Sequence, residues 1–154
     1  HAIPLYEQLE LLKKNAVAIF AGVFAWLNNS VVIVNFIAKV FGFDHSEYVT
    51  FLPKSITTAI GMGVSEQMGG NVSITVITII ITGVVGNILG EPVLKLFRIH
   101  NPIAKGIGLG SSAHAIGTAK AMELGEVEGA MSGLSIAVAG LMTVVMSAIF
   151  AAFL

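Results

Sequence analysis

Three runs without a charged side chain, residues 15–38, 72–89 and 129–154, constrain this chain more than any other feature. Each reaches the roughly 18 apolar residues that cross the hydrocarbon of a bilayer as a helix. A soluble protein can bury one such helix in its core. Three of them in 154 residues would leave too little polar surface to cover them. A soluble domain carries about 25% charged residues. Here only 11% are charged, and mean hydropathy is +0.89. The fold class expected is therefore all-α and integral to a membrane, a multi-pass helical bundle forming a single membrane domain over 1–154.

Several function classes lose support on composition. Net charge is −1 with no basic cluster, so nucleic-acid binding has no electrostatic basis. The absence of cysteine removes disulfide frameworks and thiolate metal sites. No nucleophile elbow, zinc motif or P-loop is present, and the spaced glycines Gly106, Gly108 and Gly110 follow no strand. No enzyme activity, cofactor or metal is expected. There is no signal-peptide pattern, and a start at His1 predicts that the chain is part of a longer protein.

The elements alternate between long and short. Residues 5–14 are amphipathic, with Leu5, Leu9 and Leu12 on one side, and read as the wet end of a helix. A span over 15–41 ends at Gly42, and a polar loop with Asp44 and Glu47 follows. Residues 55–68 are too short to cross, and Gly69-Gly70-Asn71 breaks them from a second span over 72–97. A second short element, 111–124, is preceded by Gly106, Gly108 and Gly110 and followed by the last span, 129–154. Lys13 and Lys14 lie on the same side as the Lys95, Arg98 and Lys105 loop if 55–68 dips in and returns. The positive-inside rule makes that side cytoplasmic.

The two short elements match each other at an offset of 56: Ser55 on Ser111, Ala59 on Ala115, Ile60 on Ile116, Gly61 on Gly117 and Gly69 on Gly125. Each precedes a long span. In the topology above they enter from opposite sides, which predicts interrupted half-helices in inverted repeats, an arrangement of secondary transporters. A helix starting inside the membrane has unpaired N–H groups and a partial positive charge there. Two such starts facing one midplane site would cradle a small carboxylate. Ser55, Thr57, Thr58, Ser111 and Ser112 supply hydroxyls, and Gly110, with Gly106 and Gly108, is expected to leave an unwound backbone open to a ligand. A helical wheel puts Ser55, Thr58, Met62, Ser65 and Glu66 on one face, and Ser111, His114, Ala115 and Thr118 on another. His114 is either an anion donor and proton carrier or a partner in an interhelical hydrogen bond. Glu66 is either a proton or cation site or an exposed end residue. Lys120 faces away from His114 and is expected to pair with a neighbouring helix or to snorkel. Gly83, Gly86 and Gly90, and Gly129, Gly133 and Gly140, are expected to be packing surfaces.

Two motifs carry a family resemblance. Lys54-Ser55-Ile56-Thr57-Thr58 with Ser65-Glu66-Gln67-Met68-Gly69-Gly70 resembles a signature of the LrgB/CidB family of bacterial membrane proteins. So does the stretch from Gly110-Ser111-Ser112-Ala113-His114 through Thr118-Ala119, with Glu123-Leu124-Gly125-Glu126-Val127-Glu128-Gly129 after it. The resemblance covers essentially the whole chain. It implies further N-terminal helices upstream and a place in the bacterial cell membrane. Bacterial members are described as antiholin-like proteins that act with holin-like partners of the LrgA/CidA type and influence murein hydrolases and lysis. A plant chloroplast relative is a glycolate/glycerate transporter, and bacterial relatives are linked to pyruvate or acetate movement. The resemblance supplies no catalytic residue. The expected ligand is thus a small carboxylate anion with proton coupling. The expected partners are a holin-like membrane protein and further copies of the chain. The candidate substrate-binding residues are Ser55, Thr57, Thr58, Glu66, Gly110, Ser111, Ser112, His114 and Thr118.

Overall fold

A computed structural model describes residues 2–151 in backbone, and their side chains except those of 2–9, 11, 12, 147, 148, 150 and 151. Among the described residues the chain is wholly helical: α1 (Ala2–Phe41), α2 (His45–Phe51), α3 (Thr58–Gln67), α4 (Val72–Leu96), α5 (Pro102–Leu124) and α6 (Glu126–Ala151). The stretches Lys13–Phe41, Val72–Leu96 and Glu126–Met146 are long and apolar enough to cross a membrane. They leave Val17, Phe36, Phe41, Ile88 and Val145 bare on the outside. So much uncovered apolar surface is what lipid, not water, solvates. The amphipathic face expected of Leu5, Leu9 and Leu12 lies outside the described side chains, and the end of the predicted last span, 152–154, outside the described residues.

Caps place the helix starts where short polar side chains meet apolar runs. Asp44 accepts from Glu47 N at 2.8 Å while Glu47 Oε2 accepts from Asp44 N at 2.9 Å, a reciprocal box that begins α2. Asn71 and Asn101 cap α4 and α5 with their side-chain oxygens, and Pro102 follows the second at a position where its missing N–H costs nothing.

Helices α2 and α3 form a hairpin. Ser46, at the start of α2, donates to Gly69 O beyond the end of α3 at 2.9 Å. Thr50 Oγ1 accepts from Asn71 N at 2.7 Å, and buried Thr75 donates to Thr50 O at 2.8 Å, with its hydroxyl 2.8 Å from Ser65 Oγ. The hairpin base is thereby tied to the start of α4, and its turn, 52–57, points along α4 and α1.

Helix α5 is also a hairpin, although its hydrogen-bonded turns run nearly unbroken. At His114 the backbone leaves the helical region for φ 49°, ψ −132°. In a straight helix, residues eight apart lie about 12 Å from one another along the axis. Gly117 instead lies so close to Leu109 that a Cβ there would come within 2.5 Å of its carbonyl oxygen, and Leu109 and Ala121 share one apolar cluster. The chain therefore runs in over 102–113 and back over 115–124. The levels along α4 agree. Gly90 meets Leu109, Gly86 meets Ala113 and Gly83 meets Ile116, after which Lys120 is back at Glu91. The glycines of α4 are the packing surface expected of them. Of the last-span set, Gly129 meets Met122 and Gly140 meets Ile60, while Gly133 faces open space.

The half-helix expected over 111–124 thus needs correction. The element begins at Pro102, and the break falls at His114. Gly106, Gly108 and Gly110 are helical rather than unwound. A Cβ on Gly106 would lie 2.5 Å from Glu128 O, and one on Gly110 2.8 Å from Ser132 Cα, so these glycines let α5 approach α6. The offset of 56 does recur in three dimensions. Phe43 N bonds Ala38 O at 2.8 Å and Ile99 N bonds Leu94 O at 2.9 Å, each around a left-handed residue, Gly42 (φ 68°) and Arg98 (φ 54°). Gly61 faces Pro53 O as Gly117 faces Leu109 O.

Candidate functional site

The two hairpin turns meet in the middle of the bundle. Ser55, 3% exposed in the first turn, has its Oγ 3.1 Å from Ser30 Oγ on α1. Ser30 is near the centre of the Lys13–Phe41 stretch, so this turn reaches mid-span. Lys54 Nζ donates to Ser55 Oγ at 2.8 Å and to Ser30 Oγ at 3.1 Å, and lies 6.0 Å from the Trp26 ring centroid. From the other hairpin, the His114 imidazole lies against the Ser55 backbone and within electrostatic reach of Lys54. His114 is 5% exposed, and its Nε2 has no hydrogen-bond partner. Thr143 of α6, equally buried, has an unpartnered Oγ1 and lines a cavity of ≈ 20 Å³ with Ser30, Ser55, Pro53, Ile56 and Val64. A cavity of this size holds about one water.

Buried polar groups are ordinarily bonded, and each exception asks for a reason. The imidazole and Thr143 both lie beside Ser55. His114 also holds a backbone conformation that costs about 1–3 kcal/mol in a residue with a Cβ. A ring with one unpartnered nitrogen, on a strained turn beside a half-buried cation, can take up an anionic or hydroxylated ligand. A neutral imidazole nitrogen offers a lone pair or an N–H, and the protonated ring offers both N–H groups.

The expected site residues do not all come together. Ser55 and His114 are at the meeting point. Thr57 and Thr58 begin α3 next to it, though the Thr57 hydroxyl makes no capping bond. Ser111, Ser112 and Thr118 are close in sequence but turned to other work. Ser111 Oγ donates to Ile107 O at 2.6 Å, Ser112 Oγ to Gly108 O at 2.6 Å and Thr118 Oγ1 to His114 O at 3.0 Å, with Ser132 Oγ 2.7 Å away. Gly110 packs on Ser132. Glu66 is exposed at the far end of α3, about 12 Å along the helix from Thr58. The single polar face expected over Ser55, Thr58, Met62, Ser65 and Glu66 does not form. Ser55 precedes the helix, Met62 is exposed, and Ser65 turns to Thr75. The face expected over Ser111, His114, Ala115 and Thr118 is divided by the reversal at His114.

Lys54, Ser30, Trp26 and Thr143 were not among the expected residues. Lys54 had a signal, a cation next to Ser55 within an otherwise apolar stretch. Ser30 and Thr143 had none, because single hydroxyls inside spans commonly bond their own helix. The charges at the base of the second hairpin are paired, and of the two alternatives expected of Lys120 it takes the pairing with a neighbouring helix. Glu91 meets Lys95 at 2.8 Å and Lys120 at 3.0 Å, Lys120 meets Glu123 at 3.1 Å, and Lys105 meets Glu128 at 3.8 Å.

A family model described as the LrgB-like family matches residues 1–153. Among curated proteins, the Antiholin-like protein LrgB of Bacillus mycoides (strain KBAB4) is 41% identical over 153 residues, covering 99% of this chain and 66% of that protein. Proteins of the same name from Bacillus cereus (strain B4264) and Bacillus anthracis (strain CDC 684 / NRRL 3495) are 40% identical over the same shares. The chain therefore spans just under two thirds of the length of these relatives. No solved structure matches it.

Proposed function

The chain belongs to the LrgB-like family of antiholin-like membrane proteins, and from that premise we propose that it is a secondary transporter of small monocarboxylates of the pyruvate, glycolate and glycerate class. Its ligand site is the meeting point of the two hairpin turns. Helix α4 starts at the base of the first hairpin and ends where the second begins, so if α4 crosses the membrane the hairpins dip in from opposite sides. They are then re-entrant and related as inverted repeats, and their tips face one another at the midplane, where transporters of this kind hold substrate. The single observation that carries the proposal is the strained, buried His114, its ring beside the Ser55 backbone and its Nε2 without a partner. The cytoplasmic side is the one bearing Lys95, Arg98 and Lys105, and the membrane is the bacterial cell membrane.

Uptake of radiolabelled pyruvate and glycolate into liposomes carrying the purified protein, with and without a pH gradient, tests this. Saturable uptake is expected in the wild type, with a loss of at least about tenfold in Ser55→Ala and His114→Ala, since each removes a contact to a charged ligand. Ser111→Ala, whose hydroxyl is bonded to its own helix, is expected to stay within about twofold. A wild type that is folded and inserted yet moves neither anion would overturn the proposal.

The second reading is a regulator that acts on a holin-like membrane partner and through it on murein hydrolases and lysis. The name its relatives carry favours it. It predicts that a small helical protein copurifies from membranes and that Ser55→Ala and His114→Ala leave lysis unchanged.

A further inference from the structure

A half-buried cation at the level of the central turns of a span is expected to have a carboxylate beside it, because taking a charge even partly out of water is costly unless it is paired. The other lysines packed against the second hairpin obey this: Lys105 has Glu128 and Lys120 has Glu91 and Glu123. Lys54 does not. Among the described residues no carboxylate lies within ion-pairing distance of its Nζ, which is held by two neutral hydroxyls, Ser30 and Ser55, near the Trp26 ring. Its depth is fixed by those partners, since Trp26 and Ser30 sit in the central turns of the Lys13–Phe41 stretch. Neither is it free to snorkel to the surface while its ammonium bonds Ser30 and Ser55.

We propose that Lys54 is the anion-binding residue of the site and that its missing counter-charge is the ligand's own carboxylate. The inference rests on the transporter reading and deepens it. Ser30 and Ser55 hold the ammonium in place, and whichever of the two accepts from the other has its O–H left to donate to the same carboxylate. His114 Nε2, unpartnered on the opposing tip, takes the rest of the ligand. One uncompensated positive charge is matched by one negative charge. The site therefore selects small monocarboxylates over dicarboxylates, which would bring an unpaired charge with them, and over neutral amides, which would leave Lys54 unpaired.

The test separates a ligand role from a structural one by opposite signs. Lys54→Met keeps the length of the side chain and removes a half-buried charge without a carboxylate partner, so the ligand-free protein is expected to melt at the same temperature or higher. The same variant is expected to bind radiolabelled glycolate at least about tenfold more weakly, the loss of a charged hydrogen bond. Lys54→Arg, which keeps the charge, is expected to retain part of the binding. In the wild type, excess pyruvate competes with labelled glycolate, whereas succinate and glycolamide do not. Unchanged glycolate affinity in Lys54→Met, a lower melting temperature in that variant without ligand, or effective competition by succinate would each overturn the inference. Failure of the wild type to bind or transport any monocarboxylate would instead count against the transporter reading.

Discussion

Gly110→Val is expected to prevent the folded bundle from forming. A Cβ at this position would lie 2.8 Å from both Cα and Oγ of Ser132 and against the Ser132 carbonyl oxygen. Backbone atoms cannot rotate away as the end of a side chain can, so α5 and α6 would have to separate along their whole contact. Overpacking of this kind costs about 1–3 kcal/mol where neighbours can shift and more where they cannot. Separation would also break the Thr118–Ser132 contact and draw Ile107 away from Met131 and Val23 in the core. The measurement is the thermal midpoint of the purified protein, or its recovery from membranes if none survives extraction. Gly108→Ala is the matched control. Nothing lies within 4 Å of a Cβ there, and replacing a helical glycine by alanine stabilises by about 1 kcal/mol.

His114→Gly is expected to raise stability while abolishing transport. The residue stands at φ 49°, ψ −132°, a conformation that only glycine adopts without strain. Relief of about 1–3 kcal/mol is expected, offset in part because the imidazole no longer fills its place between the two tips. Uptake is expected to fall to the level of protein-free liposomes, because the unpartnered Nε2 goes with the ring. A stability gain coupled to a loss of function is the mark of strain kept for a purpose. If His114→Gly were less stable than the wild type and still transported, the imidazole would be a packing group and nothing more.

The spans were legible because charge-free runs have one interpretation in a chain this apolar, and α1, α4 and α6 overlap the three runs. The offset of 56 was legible because the same small residues recur at matching places in the two hairpins. Gly61 and Gly117 face the equivalent carbonyls of Pro53 and Leu109, although only Gly117 is pressed against its own and Gly61 is tightest against the Ile79 side chain. The position of the second break was not legible. His114 carries no local signal for reversal, being neither glycine nor proline, and only packing on α4 and α6 holds it there. The same packing overrides the helix-breaking tendency of Gly106, Gly108 and Gly110, which in sequence alone read as an unwound segment. Lys54 is hidden for a related reason. Beside Pro53 it reads as punctuation before a helix, and its role depends on Ser30, 24 residues away in the chain.

The claim that the two hairpin tips meet at one site is most directly tested by cross-linking within a single chain. The sequence contains no cysteine, so a pair introduced as Ser55→Cys and His114→Cys stands without background. In native membranes a short bifunctional thiol reagent is expected to join the pair within one molecule. The pair Thr118→Cys and Ser132→Cys, whose native hydroxyls lie 2.7 Å apart, serves as a positive control for folding. A cross-link between 118 and 132 with none between 55 and 114 would mean that the tips are apart, and would contradict the account at its centre.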